Sequence, residues 1–328
     1  MRLRLRALAG VVAAAVSMAC TLAGAQEFPA KPIRIIVPFP AGGAMDLLAR
    51  QVGQGFTERW THQVVIDNRP GAGGVIGTQA AAKSPSDGYT LMMGSSSTFA
   101  IGPALGAKLL YDPVKDYAPV SQVAVVPILL VVHPDLPVRS IPELVKLARS
   151  RPGDIAYASN GVGTTAHIAA ELFAHSARVK FNHVPYKGGG VAITDLLGGH
   201  VQMLFGAVST SIPHMKAGRL RALGVTTRKR LAALPDVPAI GEHIRDYEVT
   251  QWFGLFAPAN TPPAVVSRLS AEVRTIVAQP AVQERFISQG IEPVSSTPEQ
   301  FSAYVRAELA KWTRTLKAIG IQSENAPS

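Results

Sequence analysis

Cysteine is almost missing from this chain: Cys20 is the only one among 328 residues. A single cysteine excludes an internal disulfide and argues against a structural zinc site. Histidine does not fill the gap. None of the eight histidines forms a His-x-x-x-His pair, and His167 and His175 read as ordinary helix residues. No metal and no cofactor is expected. There is no P-loop, and no Gly-x-Ser-x-Gly elbow, so Ser95, Ser96 and Ser97 make a poor case for a nucleophile. No low-complexity tract appears. Beyond the first 25 residues, no apolar run is long enough to span a bilayer.

Basic residues outnumber acidic ones, 32 to 22, but are dispersed. The formal net charge is +10. The densest basic cluster, Arg228-Lys229-Arg230, has no aromatic interleaving and reads as a solvated turn. Nucleic acid is not an expected partner.

The N-terminus carries an address. Arg2, Arg4 and Arg6 precede an apolar run from Ala7 to Ala19, followed by Ala23-Gly24-Ala25. This is the pattern of a secretory signal peptide, with a cut expected after Ala25. A lipoprotein signal would want Leu or a similar residue three positions before Cys20, and Ser17 stands there. The expected location is the periplasm. A mature chain without disulfides suits a domain large enough to bury its own core.

Strands and helices then alternate. Ile33 to Val37 is a short β-branched run, which suits a buried strand. Pro38 and Pro40 end it, because proline removes a ladder donor. After Ala41-Gly42-Gly43, Leu48, Val52 and Phe56 recur every fourth position and predict a helix to Trp60. Further strands are expected at Gln63 to Ile66, Tyr89 to Met93, Ile155 to Ala158, Asn182 to Val184, Val201 to Phe205 and Leu220 to Val225. Gly94 to Thr98 reads as a polar loop. Helices are expected at Pro142 to Arg149, Thr164 to Phe173, Val191 to Leu197 and Ser211 to Ala217. The chain after Pro262-Pro263 reads as helices throughout.

This alternation implies parallel sheets and an α/β fold. Two long apolar runs, 120–132 and 249–257, separate two βα series. They read better as two crossings between lobes than as parts of one large doubly wound domain. Lobe 1 would comprise 26–122 and 254–328, and lobe 2 would comprise 123–253. Strand ends and helix starts would then face each other across a cleft.

Each lobe offers a strand–glycine–helix element toward that cleft. In lobe 1 it is Ile33 to Asp46. In lobe 2 it is Ile155 to His167, with Asn160, Gly161, Gly163, Thr164 and Thr165 at the turn. The first N–H groups of a helix lack internal partners and carry partial positive charge, so they bind anions without Lys or Arg. Gly161-x-Gly163-x-x-Ala166 looks like a dinucleotide fingerprint, but no acid follows at the end of the next strand, near His183-Val184-Pro185-Tyr186. An oxyanion or carboxylate fits better. Asp46 and Asp195 lie near helix starts, where a carboxylate serves as a cap or meets ligand.

Several segments in order carry a resemblance. They are Val37-Pro38-Phe39 with Ala41 to Asp46, then Asp67 to Gly74, Asp87-Gly88-Tyr89-Thr90-Leu91 and Tyr111 to Asp116. Tyr157-Ala158-Ser159, His183 to Gly188 and Leu220 to Thr226 complete the set. Together they resemble the Bug receptors, the extracytoplasmic solute-binding proteins of tripartite tricarboxylate transporters, over nearly all of the mature chain. The resemblance implies a two-lobed periplasmic binding-protein fold of type II, a Venus flytrap closing on a ligand between its lobes. It implies a monomer that binds a small carboxylate (a di- or tricarboxylate, an acidic amino acid or an aromatic acid) for membrane permease subunits. An orphan receptor reporting to a sensor kinase is the alternative. A secreted α/β hydrolase lacks a recognisable nucleophile–base pair.

The family often has Pro where Val191 stands, and Asp where Gln202 and Gly206 stand. One ligand carboxylate is expected on the backbone of Ala41, Gly42 and Gly43, near Ser95 and Ser96. The 160–165 turn would close over it. Phe39, Phe205 and Gly206 would shape the far end and favour an aromatic or extended acid over an amino acid.

Overall fold

A computed structural model describes residues 28–106 and 109–321. The expected signal peptide with its cut after Ala25, Cys20, and the last seven residues lie outside these.

Strands β1 (Ile33–Val37), β2 (Val64–Asn68) and β3 (Thr90–Ser95) open the chain, with helix α1 (Ala44–Trp60) after β1 and α2 (Val75–Ala82) after β2. The periodic residues of α1 are the ones it buries: Leu48, Val52 and Phe56 are at most 1% exposed. The helix ends at Thr61, whose φ of 57° is left-handed and whose N–H returns to the Thr57 carbonyl.

The long strand β4 (Tyr117–Val132) then enters the second lobe. There α3 (Ile141–Ser150), β5 (Ala156–Ser159), α4 (Thr165–Ala177), β6 (Asn182–Pro185), α5 (Gly189–Leu197), β7 (Met203–Ala207), α6 (Val208–Lys216) and β8 (Arg221–Val225) follow. β9 (Thr250–Pro258) returns to lobe 1. Helices α7 (Pro263–Val277), α8 (Pro280–Ser288) and α9 (Pro298–Ala318) close the fold, with the two-residue strand β10 (Glu292–Pro293) before α9.

The sheet runs β2-β1-β3-β9-β4-β7-β5-β6, and β8 and β10 also pair with β4. Within each βα series the strands are parallel, as expected. The crossings are not. β9 is antiparallel to β3 and β4, and β4 is antiparallel to β7 and β8. One connection leaves lobe 1 and the other returns, so these two neighbours must run in opposite directions.

β4 serves both lobes. Its residues Tyr117 to Pro127 pair with β9, and Ile128 to Val132 pair with β7 and β8. The handover falls at Pro127, which has no N–H to give either ladder. It lies a few residues beyond the boundary drawn at 122/123, and β9 pairs within lobe 1 from Thr250 onward.

The two faces of this sheet differ. On one face a single apolar core runs through both lobes, from Ile36, Met92 and Phe99 to Tyr157, Phe173 and Phe205, covered by Phe301 and Trp312 of α9. On the other face the core is divided. Val37, Met45, Leu48, Phe253 and Leu255 belong to lobe 1, and Leu129, Leu196, Leu204 and Val208 to lobe 2. The cleft lies on the divided face.

The serine-rich stretch is not a loop. Ser95 ends β3, Ser96 follows, and Ser97–Ile101 forms a π-helical turn whose residues are all buried. The hydroxyls of Ser96 and Ser97 find a partner across the lobes in Thr165, which removes their need for solvent.

Candidate functional site: an interlobe carboxylate cleft

A cleft of about 180 Å³ opens between the lobes. Lobe 1 lines it with Phe39, Pro40, Ala41, Gly43, Ala44, Met45, Asp46, Ser97, Gln251 and Phe253. Lobe 2 lines it with Asn160, Thr164, Gly188 to Val191, Leu204, Gly206, Ala207 and Thr210. Four helices begin at this surface: α1 after Gly43, α4 after Thr164, α5 after Gly188 and α6 after Ala207. Among the described residues, the lining holds no Lys, Arg or His, and Asp46 is its sole charged group.

Asp46 is occupied structurally. It is 3% exposed. Oδ2 accepts the Gly42 N–H and the Arg50 guanidinium, each at 3.0 Å, and Oδ1 accepts from the Asn68 amide at 3.1 Å. Asn68 also donates to the Phe39 carbonyl at 3.0 Å. Burial works to raise the Asp46 pKa, but the hydrogen bonds from Arg50, Gly42 and Asn68 outweigh it and hold the carboxyl below its ordinary value. Asp46 therefore braces the 39–43 loop through its hydrogen bonds to Gly42 and Asn68.

Among the residues singled out from sequence, Phe39, Ala41, Gly43, Asp46, Asn160, Thr164 and Gly206 line the cleft. The others lie off its surface, for separate reasons. Gly42 is the left-handed residue of its loop, at φ 87°. Gly161 gives its N–H to Ser159 Oγ at 3.1 Å, and Gly163 gives its N–H to His167 Nδ1 at 3.3 Å. The Thr165 N–H goes to Ser97 Oγ at 3.1 Å. The amides of Gly42, Gly161, Gly163 and Thr165 thus have partners within the chain. Ser96 is fully buried and meets Thr165 Oγ1 at 2.9 Å. Ser95 is fully buried too, and its Oγ has no partner among the described residues. Asp195 accepts the Tyr186 hydroxyl at 2.7 Å, tying the end of β6 to α5.

Phe205 requires a correction. Residues along a strand alternate between faces. Leu204 and Gly206 point into the divided face and the cleft, so Phe205 points into the continuous core. There it is fully buried, 6.0 Å from the Phe173 ring. The second aromatic lining the cleft, with Phe39, is Phe253 of β9. Gln202, the other departure from the family pattern, uses Oε1 to accept the Ala156 N–H at 2.8 Å.

Gly188, Gly189, Gly190 and Val191 also line the cleft, where Val191 was expected only as a departure from the family's Pro. The sequence reading passed over Met45, Thr210, Gln251 and Phe253, which only the meeting of the lobes brings together.

The lobes touch around the cleft. A Cβ placed on Gly188 would lie 2.9 Å from Pro40 Cδ, and one on Gly73 would lie 2.9 Å from the Val162 carbonyl oxygen. Thr165 Oγ1 also meets Ser97 Oγ at 3.0 Å.

Comparison with known proteins agrees with this geometry. Residues 48–321 match the tripartite tricarboxylate transporter family receptor model. BugT of Bordetella pertussis is 37% identical over 319 residues, covering 97% of this chain and 98% of BugT. A protein from the tcbD–tcbE intergenic region of Pseudomonas sp. strain P51 is 38% identical over 315 residues, covering 95% of this chain and 94% of the relative. Among solved structures, R. palustris Rpa4515 with adipate superposes with a TM-score of 0.88 at 35% identity, over 90% of this chain and 99% of that one. The periplasmic binding protein BugD gives a TM-score of 0.86 at 30% identity, over 90% and 99%. MatC of Rhodopseudomonas palustris, with bound malate, gives 0.84 at 28%, over 88% and 100%. The fold is that of the two-lobed periplasmic solute-binding proteins. The chain belongs to the receptor family of the tripartite tricarboxylate transporters, the Bug receptors.

Proposed function

We propose that this protein captures a small organic acid in the periplasm and presents it to the permease of a tripartite tricarboxylate transporter. It binds without chemistry. The observation that carries this reading is the convergence of helix starts from both lobes on a cleft lined by no basic side chain.

One carboxylate sits between the start of α1, at Gly43 to Met45, and the start of α5, at Gly189 to Val191. Asn160 and Thr164 stand beside it. Helix N-termini of this kind neutralise a carboxylate through partial charges on N–H groups. The rest of the ligand lies against Phe39, Met45, Leu204 and Phe253. Thr210 and Gln251 supply polar groups for a second oxygen-bearing end. An amino group finds little here, because Asp46 already accepts three hydrogen bonds. An aliphatic or aromatic acid without an amine therefore fits better than aspartate. The neighbours solved with adipate and with malate support this class.

A calorimetric panel of adipate, malate, benzoate and aspartate tests the assignment. Adipate or benzoate is expected to bind and aspartate to bind least. Added salt should change affinity little, because the contacts are short-range and enclosed. A preference for aspartate would overturn the ligand class. Turnover of a test ester would overturn binding without chemistry.

A further inference from the structure

The 161–164 turn, which carries Thr164 to the cleft, rests on two stacked histidines. His167 is the third residue of α4. Its N–H donates to Thr164 Oγ1 at 3.4 Å, a normal N-cap bond. Its ring works in the other direction: Nδ1 accepts the Gly163 N–H at 3.3 Å. The reach-back resembles that of a capping box, but the imidazole accepts from Gly163, one residue before the N-cap Thr164. His183 of β6 stacks on it, centroids 4.4 Å apart. His183 Nε2 meets Ser159 Oγ at 2.7 Å, and that oxygen accepts the Gly161 N–H. Both glycine amides of the turn are therefore tied to the pair. The titratable groups facing the pair are Tyr157, stacked on His183 at 4.7 Å, and Glu171, whose carboxylate accepts the Tyr157 hydroxyl at 2.5 Å.

We infer that His167 is a positioning residue: its neutral ring holds the 161–164 turn in its binding geometry, and protonating the His167–His183 pair frees the turn and couples ligand release to acid.

The coupling follows from proton inventory. A neutral imidazole that accepts at Nδ1 carries its proton on Nε2. The imidazolium has no acceptor and would set two N–H groups face to face. The His183 contact is indifferent, because Ser159 Oγ can accept from a protonated ring. Two stacked imidazolium rings also repel each other. Burial holds the pKa of each ring low, at about 4, and for His183 the neighbouring His167 adds to it. In the unfolded chain both titrate near the ordinary value of about 6.5. The unfolded state thus binds more protons between these values. The stability of the neutral arrangement is complete above about 6.5 and is lost as pH falls through about 4.

Long-range 1H–15N NMR on the mature protein tests this without ligand. Near pH 7, His167 is expected with Nδ1 unprotonated. On acidification the Gly163 amide should titrate together with the His167 ring. A ring protonated at Nδ1 near neutrality, or a Gly163 amide that ignores the ring, overturns the inference. Two variants carry it to function, with adipate as probe. His167→Phe loses the acceptor, and affinity should fall about fivefold, the equivalent of one hydrogen bond. His167→Gln restores a carbonyl acceptor that does not titrate. It should bind as the native protein does near neutrality and lose less affinity at about pH 4, where half of the native rings are protonated. Equal acid sensitivity in His167→Gln would overturn the coupling. The binding arm rests on the carboxylate reading of the cleft. If adipate and every other acid in the panel fail to bind, that reading falls, and the NMR arm still decides the role of His167.

Discussion

Gly43→Val is expected to abolish carboxylate binding in a receptor that stays folded. Gly43 has φ −81° and ψ 169°, which any residue adopts. A Cβ there meets nothing nearer than the Pro40 carbonyl oxygen at 4.0 Å. The added isopropyl group therefore has room within the protein, but that room is the cleft. It stands before the first N–H groups of α1, where the ligand oxygens need close approach. We expect affinity for the best acid of the panel to fall at least about 100-fold, or roughly 2.7 kcal/mol. Circular dichroism and the thermal midpoint should remain near native. Gly42→Val is the contrasting variant. Gly42 lies at φ 87°, so a β-branched residue strains the backbone even though the space around it is open. It should cost stability as well as binding. Native affinity in a folded Gly43→Val protein would remove this loop from the site.

Thr165→Val should weaken both the fold and its closure. Thr165 is fully buried at the start of α4. Its hydroxyl joins Ser96 Oγ and Ser97 Oγ, which belong to lobe 1. Valine keeps the shape and deletes the oxygen. Ser96 Oγ then loses its partner inside the protein, whereas Ser97 Oγ keeps the Thr165 N–H, and a buried hydroxyl without a partner costs about 1–3 kcal/mol. Urea denaturation should register a loss of about 2–3 kcal/mol. Because the bonds cross between lobes, small-angle scattering should also find less compaction with saturating acid. Ser96→Ala in the Thr165→Val background should cost less than the two single changes added together, since the partners share one contact. An unchanged urea midpoint would show that the clasp contributes nothing.

What the sequence disclosed depended on how local the signal was. The period of Leu48, Val52 and Phe56 is local, and α1 forms where it predicts, with those residues buried. A strand followed by glycine and a helix start is local too, and both such elements reach the cleft. The destination of each amide is not local. Gly163 looks like a ligand donor until His167 is found beneath it, and Gly42 until Asp46 folds back. Facing is half local: alternation separates Phe205 from Leu204 and Gly206, but only the covering helices decide which side meets ligand. Gly94 to Thr98 reads as a polar loop because the partner of Ser97, Thr165, is distant in sequence. Gln251 and Phe253 arrive on a strand that returns from the other lobe, so no motif near them could announce a site.

The position of β9 governs the order in which this molecule can be made. It lies between β3 and β4, so Met92 is bridged to Pro119 only through Phe256. Until residue 258 is available, the first lobe has a gap one strand wide, and its two halves cannot join. Such distant pairings slow folding, because a long loop must close before contact rewards it. The family to which the chain belongs comprises periplasmic receptors, and for a receptor that must cross a membrane such a delay is useful. A polypeptide that cannot complete its first lobe early stays loose enough to be threaded across a membrane.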